Sequence, residues 1–208
     1  MKPVSRLFFQ HFLTVSLLTT GSISSAFAQA PFDLTIQSGM GNQTGNLQWS
    51  IADDPSGQSG PNVLSELTYR DVQFSVFHAS GEVRFNQGRL RDSLLFLDYQ
   101  TGQANGGEVQ DSDFNGNNRS QEYSRSLSSA EESSLNGFTL GAGRRFRISQ
   151  HNVLTPMAAF TRQQQEMVMT QGKQIVDAYN PSNLGAFRGT LNSSYATEWT
   201  GAWAGVQW

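Results

Sequence analysis

From Phe32 onward apolar and polar residues take turns along the chain. Phe32, Leu34, Ile36, Ser38 and Met40 alternate with Asp33, Thr35, Gln37 and Gly39, and Leu47, Trp49 and Ile51 alternate with Gln48 and Ser50. Between Val63 and Phe85 the alternation changes phase near Arg70-Asp71: Leu67 and Tyr69 come first, then Val72, Phe74 and Val76, then Val83 and Phe85. Leu95, Leu97 and Tyr99, then Phe138, Leu140 and Ala142, and finally the run from Tyr195 to Trp208 repeat the habit. A period of two places successive side chains on opposite faces, so the pattern predicts strands with two unlike faces. Six are expected, over 31–51, 63–85, 90–109, 131–146, 153–175 and 192–208.

These segments are long. A soluble sheet uses strands of about 5–6 residues, and a β-sandwich would show shorter strands and less regular loops. Strands that cross a bilayer at a tilt and project beyond it would have this length. The links alternate as well. Polar loops are expected at 52–62, 110–130 and 176–191, and tight turns at Asn86–Arg89 and Arg147–Asn152. Long outside and short inside is the habit of outer-membrane barrels. The pattern therefore predicts an all-β antiparallel transmembrane barrel. Six strands are fewer than the eight of the smallest single-chain barrels, so either a hairpin escapes the pattern or the chain is part of a larger barrel. Two stretches fit less well: Gln163–Met169 has no Gly or Pro and would suit a helix, and Pro156 inside a strand loses a ladder donor.

The beginning of the chain changes the picture of where it works. Lys2 and Arg6 precede a mostly apolar Leu7–Leu18, and Ala26-Phe27-Ala28 is a small-x-small cleavage site, the anatomy of a secretory signal peptide over 1–28. The barrel domain is then 29–208. Its 12 cationic and 17 acidic side chains give a formal charge of −5, which argues against nucleic acid as a partner. With no cysteine in 208 residues, disulfides and Cys-ligated metals are excluded. Beyond the leader no apolar run is long enough for a membrane helix. The Arg144-Arg145-Phe146-Arg147 cluster falls at the periplasmic end of its strand, where it would touch anionic headgroups or form a solvated rim. Tyr195, Trp199 and Trp203 share one face of the last strand and are expected to be interfacial anchors.

Candidate chemistry concentrates in the loop expected at 110–130. Asp111-Ser112-Asp113-Phe114-Asn115-Gly116 followed by Glu122 satisfies the calcium-loop spacing D-x-D-x-N-G-x5-E, with Asp111, Asp113, Asn115 and Glu122 as oxygen ligands. Arg119 at the ninth position opposes it, and so does the Gly-rich flank in place of an entering helix. A plainer reading is that acids among Ser, Asn and Gly keep an outer loop solvated.

The same stretch carries a family resemblance. Gly106-Gly107-Glu108-Val109-Gln110-Asp111-Ser112-Asp113-Phe114, preceded by Ile36-Gln37-Ser38-Gly39, Asp53-Asp54 and Leu64–Tyr69 and followed by Leu135–Phe146 and Met157–Phe160, resembles the first six strands of the omptins, outer-membrane aspartic-type endopeptidases of Gram-negative bacteria. The resemblance implies an omptin-like barrel in the outer membrane, with lipid and lipopolysaccharide around it and a polypeptide substrate. It implies catalytic roles for Asp111 and Asp113, which would hold an attacking water opposite an Asp–His pair. That second pair has no counterpart. The histidines after the leader are His78, inside the second strand, and His151, in an expected periplasmic turn. The acidic specificity residue falls on Leu47, and the lipopolysaccharide pattern on Phe160, Arg162 and Gln164 keeps only its aromatic member. The expectation is a shortened or diverged relative of these peptidases, requiring no cofactor. The alternative is a non-enzymatic surface barrel, an adhesin, scaffold or porin-like protein with calcium in its outer loop.

Overall fold

A computed structural model describes residues 30–54, 56 and 59–208, with backbone pairing also described for Thr14–Val15 and Ile23–Ser24 against the edge of the first long strand. The rest of the expected leader lies outside the described residues. Seven long strands follow: β1 Phe32–Ile51, β2 Ser65–Phe85, β3 Ser93–Gly116, β4 Ser120–Ser129, β5 Ser134–Arg144, β6 Val153–Asp177 and β7 Asn192–Gln207. All their ladders are antiparallel. β4 and β5 lie end to end between β3 and β6, so the sheet has six lanes, β1, β2, β3, β4 with β5, β6 and β7. These lanes are the six strands that the alternation predicts. Among the described residues no ladder joins β1 to β7.

Two expectations about secondary structure need correction. The loop expected at 110–130 is a hairpin: β3 runs on to Gly116, turns over Asn117–Arg119 and returns as β4. Its Ser, Asn and Asp residues look loop-like because they stand beyond the lipid, where polar side chains on a strand cost nothing. Gln163–Met169 is strand, laddered to β5 on one side and to β7 on the other; the ladders override its helical composition. Pro156 stays in β6, opposite Val206, at a point where the β5 ladder has ended.

The register sorts residues into rows that cross the sheet. Leu34, Val83, Leu95, Ala142, Ala158 and Ala204 form one row, and Ile36, Gly81, Leu97, Leu140, Phe160 and Ala202 the next on the same face. Every member is apolar or small, and Leu34, Ile36, Leu95, Leu97, Leu140 and Phe160 are exposed. Between them on the opposite face runs Thr35, Glu82, Phe96, Gly141, Ala159 and Trp203, followed by Gln37, Ser80, Asp98, Thr139, Thr161 and Gly201. On β2 the apolar belt spans Phe77–Phe85, nine residues, the length of a tilted membrane-crossing strand. A cation on the lipid face at mid-bilayer costs about 2–4 kcal/mol. With Asp33, Glu82, Arg84 and Asp98 all on the other face, only the belt face can meet hydrocarbon.

Above the belt the polarity reverses. Along β6 the belt face changes from Ala158 and Phe160 to Arg162, Gln164 and Glu166, while the other face changes from Gln163 and Gln165 to Met167 and Met169. On β2 the same switch replaces His78, Ser80 and Glu82 by Val76, Phe74, Val72 and Tyr69. These apolar residues meet Val109, Ala130, Leu135 and Met167 in a core that excludes water, with Tyr69, Val72 and Phe74 at 0–2% exposure. The sheet curls around it: the Tyr69 hydroxyl donates to the Met167 carbonyl at 3.4 Å, and Trp49 of β1 lies 5.6 Å from Tyr195 of β7. The face carrying the core is therefore concave, and the belt convex.

The curl needs a crease, which runs across the lanes at one height. Asp71 (φ 50°), Gly107 (φ 135°), Glu132 (φ 75°) and Gln171 (φ 54°) all have left-handed backbone, and the ladders shift register beside the first two and between Leu127 and Ser129. Such bulges raise local twist. The phase change read near Arg70-Asp71 is the first of them. Gly107 is required here, since a Cβ would lie 2.8 Å from the Val72 Cα.

Tyr195, Trp199 and Trp203 stand opposite Met167, Gln163 and Ala159 on the concave face, not toward the interface as expected. The Trp203 ring lies 6.2 Å from Phe96 and its indole N–H donates to Thr161 Oγ1 at 3.1 Å. The two rings meet over Gly141, where a Cβ would lie 2.2 Å from the Phe96 ring. Gly141→Val should therefore destabilise the folded protein by about 1–3 kcal/mol through overpacking. Gly81→Val, on the lipid face with nothing within 4 Å, should leave the thermal midpoint in detergent nearly unchanged.

Candidate functional site

Two polar assemblies line the concave face. The first is at belt depth. His78 Nε2 lies 2.6 Å from Asp98 Oδ2, joining β2 to β3, and Arg84 donates to Glu82 Oε1 at 2.7 Å. Thr139 and Thr161 are hydrogen-bonded at 2.9 Å, and Asp33, Gln37, Gln100 and Gln163 complete the wall through their register positions. The side chains of both pairs keep 34–43% of their surface exposed, so water reaches them. Sequence reasoning missed this group as a site, although His78, Ser80, Glu82 and Arg84 recur at the i, i+2 spacing of one strand face.

The second assembly is at the outer end, beyond the belt. Asp111 and Asp113 sit on β3 opposite Leu67 and Ser65, both on the concave face, as the i, i+2 spacing requires. The Ser65 hydroxyl donates to Asp111 Oδ1 at 3.3 Å. Burial pushes the Asp111 carboxyl above its ordinary 3.8, and the charge of Asp113 pushes it further. Burial, with a contribution from Asp111, also drives the Tyr69 hydroxyl up to about 12. Tyr123 is raised by burial and then by the charges of Asp113, Tyr179 and Asp111, and its ring lies 5.4 Å from Tyr179. Asn115 donates to the Tyr179 hydroxyl at 2.6 Å.

The remaining candidates are elsewhere. Glu122 is on β4 opposite Phe114, and both its carboxylate oxygens accept from Arg125. The structure thus brings Asp111 and Asp113 together without Glu122, and their segment is extended strand where a cation loop would wrap. Among the described residues no three His, Asp or Glu side chains converge as metal ligands. His78 stands opposite Gln100, eleven residues along β3 from Asp111, about 36 Å at 3.3 Å per residue. His151 is at the other end of the sheet, in the β5–β6 turn. Phe160, Arg162 and Gln164 share the convex face, where Arg162 and Gln164 both donate to Glu198.

Because Asp111 binds its proton more tightly folded than unfolded, its ionisation lowers stability as pH rises above 3.8. Asp111→Asn should raise the thermal midpoint near neutral pH. The advantage should shrink on acidification and vanish below the ordinary carboxylate range, as followed by circular dichroism.

No helix of the described residues is long and apolar enough to cross a membrane; the crossing elements are the belted strands. No curated protein and no solved structure matches the chain. Residues 37–208, which take in all six lanes but the first five residues of β1 and both polar assemblies but Asp33, match the family described as Protochlamydia outer membrane protein; the omptin likeness gains no support from these comparisons. The chain belongs to the Protochlamydia outer membrane protein family and is an outer-membrane β-sheet protein.

Proposed function

We propose that this protein is a non-enzymatic, porin-like barrel whose concave face walls a water-filled passage through the outer membrane. The observation that carries this reading is the set of half-exposed polar side chains at belt depth, Asp98 hydrogen-bonded to His78 and the Glu82–Arg84 ion pair. Ionised side chains persist at that depth only where water or protein surrounds them, and a polar interior within an apolar belt is the arrangement of conducting barrels. Asp33, Glu82 and Asp98 outnumber Arg84 on this wall, which favours cations. Tyr69, Phe74 and Met167 pack at the outer end and narrow the passage beside them, so it conducts weakly.

The protein refolded into planar bilayers should give small, cation-selective conductance steps, and Glu82→Gln with Asp98→Asn should reduce the cation preference. Protein that is folded by circular dichroism yet gives no steps would refute the passage.

A second reading, a peptidase of the omptin kind, draws on Asp111 and Asp113 side by side on the concave face with a raised Asp111 carboxyl. It needs a proton acceptor opposite them. Refolded protein supplemented with lipopolysaccharide should cleave a peptide library no faster than its Asp111→Asn variant; cleavage lost in the variant would favour the peptidase.

A further inference from the structure

The charges of this protein are segregated along the strands. Beyond the belt on the outer side, acidic residues prevail, among them Asp53, Glu66, Glu108, Asp111, Asp113 and Glu132. At the short-turn end, which outer-membrane barrels place in the periplasm, five arginines gather in two adjoining turns. Arg89 and Arg91 belong to the β2–β3 turn; Arg144, Arg145 and Arg147 close β5 and open the β5–β6 turn. The turns are tied together, since the Arg145 backbone N–H donates to the Asp92 carbonyl at 2.7 Å. Counter-charge is scarce. Arg91 lies 3.7 Å from Asp92, and among the described residues Arg89, Arg144, Arg145 and Arg147 have no ion pair.

The apolar residues of the same rim stand out into solvent. Leu90 is 55%, Phe146 46% and Ile148 66% exposed. Arg144 follows Leu140 and Ala142 on the convex face, opposite Ser93 at the foot of the belt, and its guanidinium lies 5.9 Å over the Phe146 ring. A cation beginning where a lipid-facing stripe ends, with its stem along an aromatic, is the disposition of a side chain reaching from acyl chains to phosphate. Arginine suits that acceptor because its planar fork binds phosphate oxygens in pairs.

We propose that this rim binds the phosphate headgroups of anionic phospholipids in the periplasmic leaflet, with Arg89, Arg91, Arg144 and Arg147 as headgroup ligands and Leu90, Phe146 and Ile148 seated among the acyl chains. Continuity with the belt selects a lipid over a soluble partner, and the unpaired positive charge selects an anionic one. The assignment rests on the outer-membrane placement and is independent of whether the concave face conducts.

The test uses the full chain refolded in phosphatidylcholine vesicles with and without phosphatidylglycerol, reading the thermal midpoint, and native mass spectrometry of lipid retained after extraction. Phosphatidylglycerol should raise the wild-type midpoint and be retained in preference to phosphatidylcholine. The variant R89Q/R91Q/R144Q/R147Q should lose that rise and retain phosphatidylglycerol at least about tenfold less, whereas R119Q/R125Q, at the opposite end, should behave as wild type. Should the fourfold variant fail to refold, R89Q/R91Q, in a turn outside every ladder, should show a partial loss. Equal retention by rim and control variants would overturn the proposal. So would abolition of the lipid preference by inorganic phosphate at matched ionic strength, which would assign the cluster to free phosphate.

Discussion

A peptide group facing hydrocarbon without a hydrogen-bond partner costs several kcal/mol, and the architecture follows from meeting that demand lane by lane. Through the belt, β2, β3, β5 and β6 are laddered on both sides, and the convex rows they form are uniformly apolar or small. Register and solvent are thereby coupled. A slip of one residue would carry Asp98, Glu82 and Arg84 into lipid and Leu95, Val83 and Leu97 into the lumen, so the pattern that earns membrane insertion also fixes the pairing.

The same strands serve two solvents. Within the belt their apolar side is convex and their polar side concave; beyond it the assignment reverses, and Tyr69, Val72, Phe74, Val109 and Met167 pack as they would in a water-soluble protein. Each fully buried Val or Phe contributes about 1.5–3 kcal/mol relative to exposure, so this outer core stabilises the curl without help from lipid. The crease at Asp71, Gly107, Glu132 and Gln171 marks the changeover. Rigidity outside the membrane and amphipathicity within it come from one set of strands read in two phases.

That reversal also distributes the polar groups. The half-exposed charges at belt depth need a wall that excludes lipid, and the outer acidic pair needs a dry neighbourhood to hold a raised carboxyl. The cationic turns need the belt to end where they begin. Each is a consequence of where along a strand the polarity changes, so none depends on a dedicated loop.

The alternation of Phe32–Met40 and its counterparts determined the six lanes, their approximate limits and their membrane setting, because a period of two is imposed by backbone geometry before any tertiary contact forms. The phase break at Arg70-Asp71 was equally legible, as was the common direction of Asp111 and Asp113. Tertiary structure decided the rest. The stretch 110–130 became a hairpin because β2 and β6 offer it partners, which its Ser- and Asn-rich composition does not announce. Whether Trp203 faced lipid or lumen depended on Phe96, more than a hundred residues earlier in the chain, arriving in its row over Gly141. Alternation names two faces, but only the curl of the whole sheet says which of them is inside.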